Sequence, residues 1–282
     1  MTAAISFDGH WPEDEPPIGI DVATRQFLRA HFRYAQQDKF YCVCPDETAA
    51  TLYRKFGTEE NIAAERCISV NQNDAEALET AGCLIRYDPA IIKYAWARRY
   101  HGENRYSLCG IAHACASESV MDIFGQYPTA PLHPWDAVIC PSQAIKGAIT
   151  SILKGWEAYL DEKFGTTPAT PLDLPVIPLG VDTVDMAKRV SEDARVAQRK
   201  RLGIGDNEIV LLYVGRLNHV AKSNPISLLL AAEQAAKRCD HPIRVIFNGY
   251  YHDKFNQEAF EQGIQAMCDT VSVSYVRHGD PE

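Results

Sequence analysis

Two cations six residues apart, Arg216 and Lys222, hold the most specific chemistry in this chain. They follow the apolar run EIVLLYV (208–214), which reads as a β-strand ending at Gly215. A glycine there lets the chain turn sharply at the carboxyl end of a strand, where open α/β sheets bind ligands. The next apolar periodicity starts near Pro225 and reads as a helix. Two cations beside a helix N-terminus form a seat for a diphosphate, because the amide groups and the helix dipole also favour negative charge there. Taken without their surroundings, Arg216 and Lys222 read more readily as a surface arginine and lysine on a loop.

Further residues stand at similar corners. His113 follows the strand-like YSLCGIA, and Ser117 and Glu118 after it suit the cap and first-turn acid of a helix. Gly19, in PPIGIDVATRQ, lies between the first strand and the first helix, and Gly249, in NGYYHD, ends another strand-like run. No GxGxxG occurs, so a nicotinamide fingerprint is absent and a sugar-nucleotide epimerase is disfavoured.

The elements that must position these residues alternate. Strand patterns AAISF, KFYCVC, RCISV, CLIRY, YSLCGIAH, DAVIC and LPVIPLG are separated by helical patterns at 21–35, 46–56, from about 74, from 88, near 118–126 and at 143–164. Asp46 is a plausible N-cap, and Asp88 followed by Pro89 reads as a cap with a first-turn proline. A polar helical stretch at 185–201 leads into a second series: EIVLLYVG, a helix at 225–238, IRVIFNG, a helix at 253–268, and SVSYV. The expected fold is α/β with two Rossmann-like domains, 1–180 and 181–282, the second expected to be incomplete with apolar strand edges exposed beyond SVSYV.

Composition narrows the function. Hydrophobic residues make up 46% and charged residues 23% of 282 positions, as in globular proteins. A formal net charge of −9 argues against nucleic-acid binding. Nine cysteines without a CxxC pair read as small hydrophobes of a reduced interior, with no zinc spacing. The N-terminus lacks a signal-peptide pattern and no apolar run reaches about eighteen residues, so a cytoplasmic protein without a transmembrane segment is expected.

VIPLGVDTVDM (176–186) and RLGIGDNEIVLLYVGRLNHVAKSNPISLLLAAEQA (201–235) resemble the retaining GT-B glycosyltransferases of family 4, the glycosyl transferases group 1. ICPSQAIK (139–146) and YSLCGIAHACAS (106–117) resemble the same group. The resemblance implies an enzyme that moves a hexose from a nucleotide sugar to a carbohydrate or lipid-linked acceptor, with retention and without a metal ion or separate cofactor. It implies that Arg216 and Lys222 hold the donor diphosphate, that His113 contacts the sugar, and that Gly19, Gly215 and Gly249 lie against the nucleotide. It places domain 1–180 on the acceptor side, domain 181–282 on the donor side, and Asp182 at the hinge. Peripheral contact with the inner membrane face stays open. Ser223 and Asn224 stand where the family often has a glycine, Gly19 stands alone where the family often has a pair, and the family's acidic Glu-x7-Glu pair has no counterpart up to Glu282. A non-catalytic fragment or binding protein of the same fold is the alternative.

Overall fold

A computed structural model describes residues 2–9, 19–115, 117–166, 169–219, 222, 224–251 and 253–276. The chain divides into two compact units, Met1–Asp182 and Thr183–Glu282.

The first unit runs β1 (Ala4–Ser6), α1 (Gly19–Tyr34), β2 (Phe40–Val43), α2 (Glu47–Glu59), β3 (Cys67–Val70), α3 (Ala75–Ala81), β4 (Cys83–Ile85), α4 (Ile92–His101), β5 (Ser107–Ile111), α5 (Glu118–Gly125), β6 (Ala137–Ile139) and α6 (Gln143–Phe164). The six strands form one parallel sheet in the order β3-β2-β1-β4-β5-β6. That order reverses between β1 and β4, the place where doubly wound sheets open a ligand crevice.

Helices on both faces make the strands apolar throughout, as in the fully buried FYCV of β2. Successive residues feed opposite faces: Ala4 joins a core with Leu84, Tyr94, Leu108 and Phe124, while Ile5 joins one with Leu28, Phe32, Tyr53 and Phe56.

Local chemistry sets the helix ends. Asp46 accepts the Ala49 N–H at 2.9 Å to start α2, and Ser142 accepts the Ile145 N–H at 3.2 Å to start α6. Gly165, left-handed, closes α6. Ser117 stands at the N-cap of α5, but its hydroxyl faces Ser119 instead of capping an amide.

Two expected elements of this unit differ. LPVIPLG is not a strand: Asp173 and Val176 make isolated bridges to Ala137 and Cys140 of the β6 segment. Pro175 and Pro178 have no N–H to give to a ladder. Asp88 does not cap α4, which begins four residues further on with Ile91 before it; its Oδ1 accepts the Ala90 N–H at 2.8 Å and its carboxylate binds Arg86. Asp136, at the start of DAVIC, is fully buried and bidentate to the equally buried Arg98, at 2.7 Å for each bond. It also accepts the Leu108 and His133 N–H groups, so one carboxylate joins β5, β6 and α4.

The second unit comprises α7 (Thr183–Arg189), α8 (Glu192–Arg201), β7 (Ile209–Val214), α9 (Pro225–Ala236), β8 (Ile243–Asn248), α10 (Lys254–Met267) and β9 (Ser272–Val276). The polar stretch expected as one helix is two, because Ser191 caps a new start by accepting the Ala194 N–H at 3.0 Å. The strands are parallel in the order β7-β8-β9 around Leu229, Val245, Phe247 and Phe260. Apolar exposure concentrates on β7, at Leu212 and Val214, whereas β9 is mostly half-buried.

Candidate functional site

The carboxyl edge of the second sheet is built on two glycines in contact. Val214 pairs in register with Asn248, so Gly215 and Gly249 leave neighbouring strands side by side. Gly215 has φ +149°, a conformation that favours glycine, and its N–H donates to the Asn248 carbonyl at 3.0 Å. A Cβ placed on Gly249 would lie 1.9 Å from the Gly215 carbonyl oxygen, so no side chain fits there without moving backbone.

Beyond the glycines the loop stays on the extension of β8, where the Leu217 N–H donates to the Tyr250 carbonyl at 2.9 Å. Arg216 lies between these anchors. Its carbonyl accepts from the Tyr213 hydroxyl at 3.3 Å and from the Asn218 N–H at 3.0 Å. The His219 N–H donates to Oδ1 of the buried Asn256, whose amide is fixed by Asp253, the N-cap of α10. Lys222 closes a turn through its N–H to the Asn218 carbonyl at 3.1 Å. Asn224 then caps α9 by accepting the Ile226 N–H, with Pro225 in the first turn. Arg216 is half-buried and Lys222 exposed, and among the described residues neither side chain is in an ion pair. The structure thus gathers Gly215, Gly249 and Arg216 at one strand edge, with Lys222 one short turn beyond. Asn256, which orients the loop, left no sequence signal except its place three residues after a capping Asp.

The first unit carries its own polar centre at the β1–β4 reversal. Arg86, directly after β4, grips Asp88 with two N–H groups and donates from Nη1 to Ser6 Oγ at 3.2 Å and to the Tyr94 hydroxyl at 2.9 Å. Burial would push the Tyr94 phenol up, but hydrogen bonding with Ser6 and the charges of Arg86 and Lys93 bring it below its ordinary value. Burial likewise opposes ionisation of Asp88, and Arg86 overcomes it and holds the carboxyl below the usual range. A cavity of about 370 Å³ opens here, walled by the ends of β1 to β4, among them Asp8, Cys44 and Asn71, and by Lys93 and Tyr94 of α4. Arg86 lies inside the strand-like CLIRY, and its signal in the sequence is a lone cation at the carboxyl end of an apolar run.

His113 lies two residues past β5 on the same edge, half-buried, facing the Tyr87 carbonyl and the Asp88 charge. Burial lowers its pKa against those two influences, so the ring is neutral at pH 7. Its Nε2 is buried and meets no partner among the described residues. Gly19 stands apart. It is the exposed first residue of α1, a Cβ there would meet nothing within 4 Å among the described residues, and the preceding residues, 10–18, lie outside them.

No protein-family model matches the chain, and no curated protein does. Solved structures do match in fold. Anabaena HepE in complex with UDP-glucose superposes with a TM-score of 0.56 at 15% identity, covering 98% of this chain and 69% of that one. The same protein with UDP gives 0.58 at 14%, covering 99% and 70%. The apo form of WaaB, a lipopolysaccharide outer core galactosyltransferase, gives 0.50 at 15%, covering 98% and 68%. The chain therefore has the two-unit α/β architecture of these proteins, with parallel Rossmann-like sheets. Among the described residues no helix is long and apolar enough to cross a membrane.

Proposed function

We propose that this chain is a glycosyltransferase of the GT-B type that takes its sugar from a nucleotide-sugar donor. The carrying observation is the Gly215–Gly249 contact, which holds Arg216 and the Lys222 turn at an open strand edge ahead of α9. Among the described residues both cations stand outside ion pairs, so a bound diphosphate has no carboxylate there to displace. The HepE complexes with UDP and UDP-glucose support a uridine donor, and the galactosyltransferase role of WaaB supports a carbohydrate or lipid-linked acceptor.

In this reading residues 1–180 serve the acceptor and 181–282 the donor. Arg216 and Lys222 offset the charge that grows on the diphosphate as the bond from the sugar C1 to phosphate oxygen breaks. The acceptor oxygen takes C1, its proton leaves to a phosphate oxygen, and the product keeps the donor's anomeric configuration, as in family 4. With two cations in place the leaving group is stabilised without a metal ion. Neutral His113 contacts the transferred sugar through Nε2, which meets no partner among the described residues. Gly19 borders the nucleotide. The compartment is the cytoplasm, with contact at the inner membrane face where the acceptor is lipid-linked.

Calorimetry with UDP and UDP-glucose tests this. Removing either cation in Arg216→Ala or Lys222→Ala costs about 1.5–3 kcal/mol, or roughly ten- to a hundredfold in affinity. Wild-type affinity in both variants assigns them to the solvated surface and withdraws the donor site. UDP-glucose binding without turnover of the donor leaves a binding protein of the same fold.

A further inference from the structure

The cavity at the β1–β4 reversal lies in the first unit, and neither Arg216 nor Lys222 lines it. At about 370 Å³ it falls within the range of small-molecule sites. Its polar lining includes Asp8 and Asn71, Gln72 and Asn73 in succession after β3, with Arg86, Lys93 and Tyr94 beside them.

The two cations there differ in state. Of the five N–H groups of a guanidinium, Arg86 commits four: two to Asp88, one to Ser6 and one to Tyr94. Its charge is offset by Asp88, so it serves as a fixed strut. Lys93 is exposed, sits 4.8 Å from the centre of the Tyr94 ring, and is in no ion pair among the described residues. Tyr94 is itself buried and pinned by Arg86 and Ser6. The ammonium thus rests on a rigid aromatic platform at the rim of a cavity lined with amides. Amides exchange hydrogen bonds with hydroxyl groups, and a cation in no ion pair among the described residues takes a negative charge.

We propose that this cavity seats the acceptor, and that the acceptor is a sugar or polyol bearing an anionic substituent, phosphate or carboxylate, held by Lys93. The assignment rests on the transferase reading and narrows its acceptor to a charged class.

Calorimetric titration of the whole chain with glucose 6-phosphate, glucuronate and glucose, in the presence of excess UDP, tests it. UDP keeps the sugar phosphate out of the diphosphate seat. The anionic sugars bind about tenfold or more tightly than glucose, Lys93→Ala abolishes that preference, and Lys93→Arg restores most of it. Whichever of the two anionic sugars binds better identifies the substituent. Equal binding of all three sugars, binding of none, or an unchanged preference in Lys93→Ala overturns the proposal. Failure of UDP itself to bind is a separate outcome. It removes the transferase reading, whereas the Lys93 variants still decide whether the cavity takes an anionic sugar.

Discussion

β1 and β7 open their sheets in the same way and end in opposite surroundings. Each begins a parallel series whose next two strands add outward on one side, β2 and β3 in the first unit and β8 and β9 in the second. β1 is also hydrogen-bonded to β4 on its other edge, and Ile5 is 0% exposed. β7 pairs only with β8 among the described residues, and Leu212 and Val214 are 60% and 68% exposed. The same apolar pattern therefore supplies a core in one unit and a surface in the other. Burial belongs to the neighbours a strand acquires, and its own residues do not set it.

The comparison breaks first at the polar lock of the first unit. Asp136→Ala leaves the buried Arg98 guanidinium without its counter-charge and destabilises that unit by about 3–5 kcal/mol. All four tryptophans precede residue 183, so their fluorescence in urea follows the first unit alone. Thiol labelling of Cys239 and Cys268 follows the second. A loss confined to tryptophan fluorescence keeps the units separate, whereas a joint shift makes them one cooperative body.

Truncation of matched leucines sharpens the contrast. Leu84→Ala, at a fully buried site in β4, costs about 2–5 kcal/mol by the same melts. Leu212→Ala changes stability by no more than about 0.5 kcal/mol. A large loss at Leu212 shows that β7 is covered in solution.

The two glycines at helix and strand corners separate next. Gly249→Ala drives a Cβ into the Gly215 carbonyl and costs about 1–3 kcal/mol, with weakened UDP binding in calorimetry. Gly19→Ala meets open space at the start of α1 and shifts stability by less than about 1 kcal/mol, toward greater stability. Equal effects at both positions refute the close-approach account of Gly249.

Acid gives the mildest contrast. Burial lowers His31 of the first unit from 6.5 to about 4. A depressed folded value means the unfolded chain binds the proton first, so this contribution is whole above pH 6.5 and is lost as pH falls toward 4. Glu233 of the second unit, accepting N–H groups of Thr270 and Val271, is lowered from 4.5 to about 2. Its contribution is whole above pH 4.5 and is lost as pH falls toward 2. Tryptophan fluorescence therefore registers weakening at a higher pH than thiol labelling does. Gln in place of Glu233 flattens only the thiol profile, and a flat profile in the unmodified chain sinks the assignment.

The sequence by itself determined what is decided within a few residues. Asp46 and Ser142 cap their helices because a side-chain oxygen reaches an amide three positions on, and Gly165 ends α6 because a left-handed residue suits glycine. Alternating strand and helix patterns sufficed for parallel α/β sheets, since strands covered on both faces must be apolar throughout. The same local logic failed where a second signal intervened: prolines in LPVIPLG cancelled a ladder, and Ser191 restarted a helix inside a polar run.

Only the tertiary structure decided the pairings made across the sheet. Asp136 meets Arg98, 38 positions away, only because β5 and β6 lie side by side. Ser6 met Tyr94 only because β4 inserts beside β1, and Gly249 required its glycine only because β8 runs in register with β7. Strand order places such residues together, and it is fixed by the burial of whole faces rather than by any spacing along the chain.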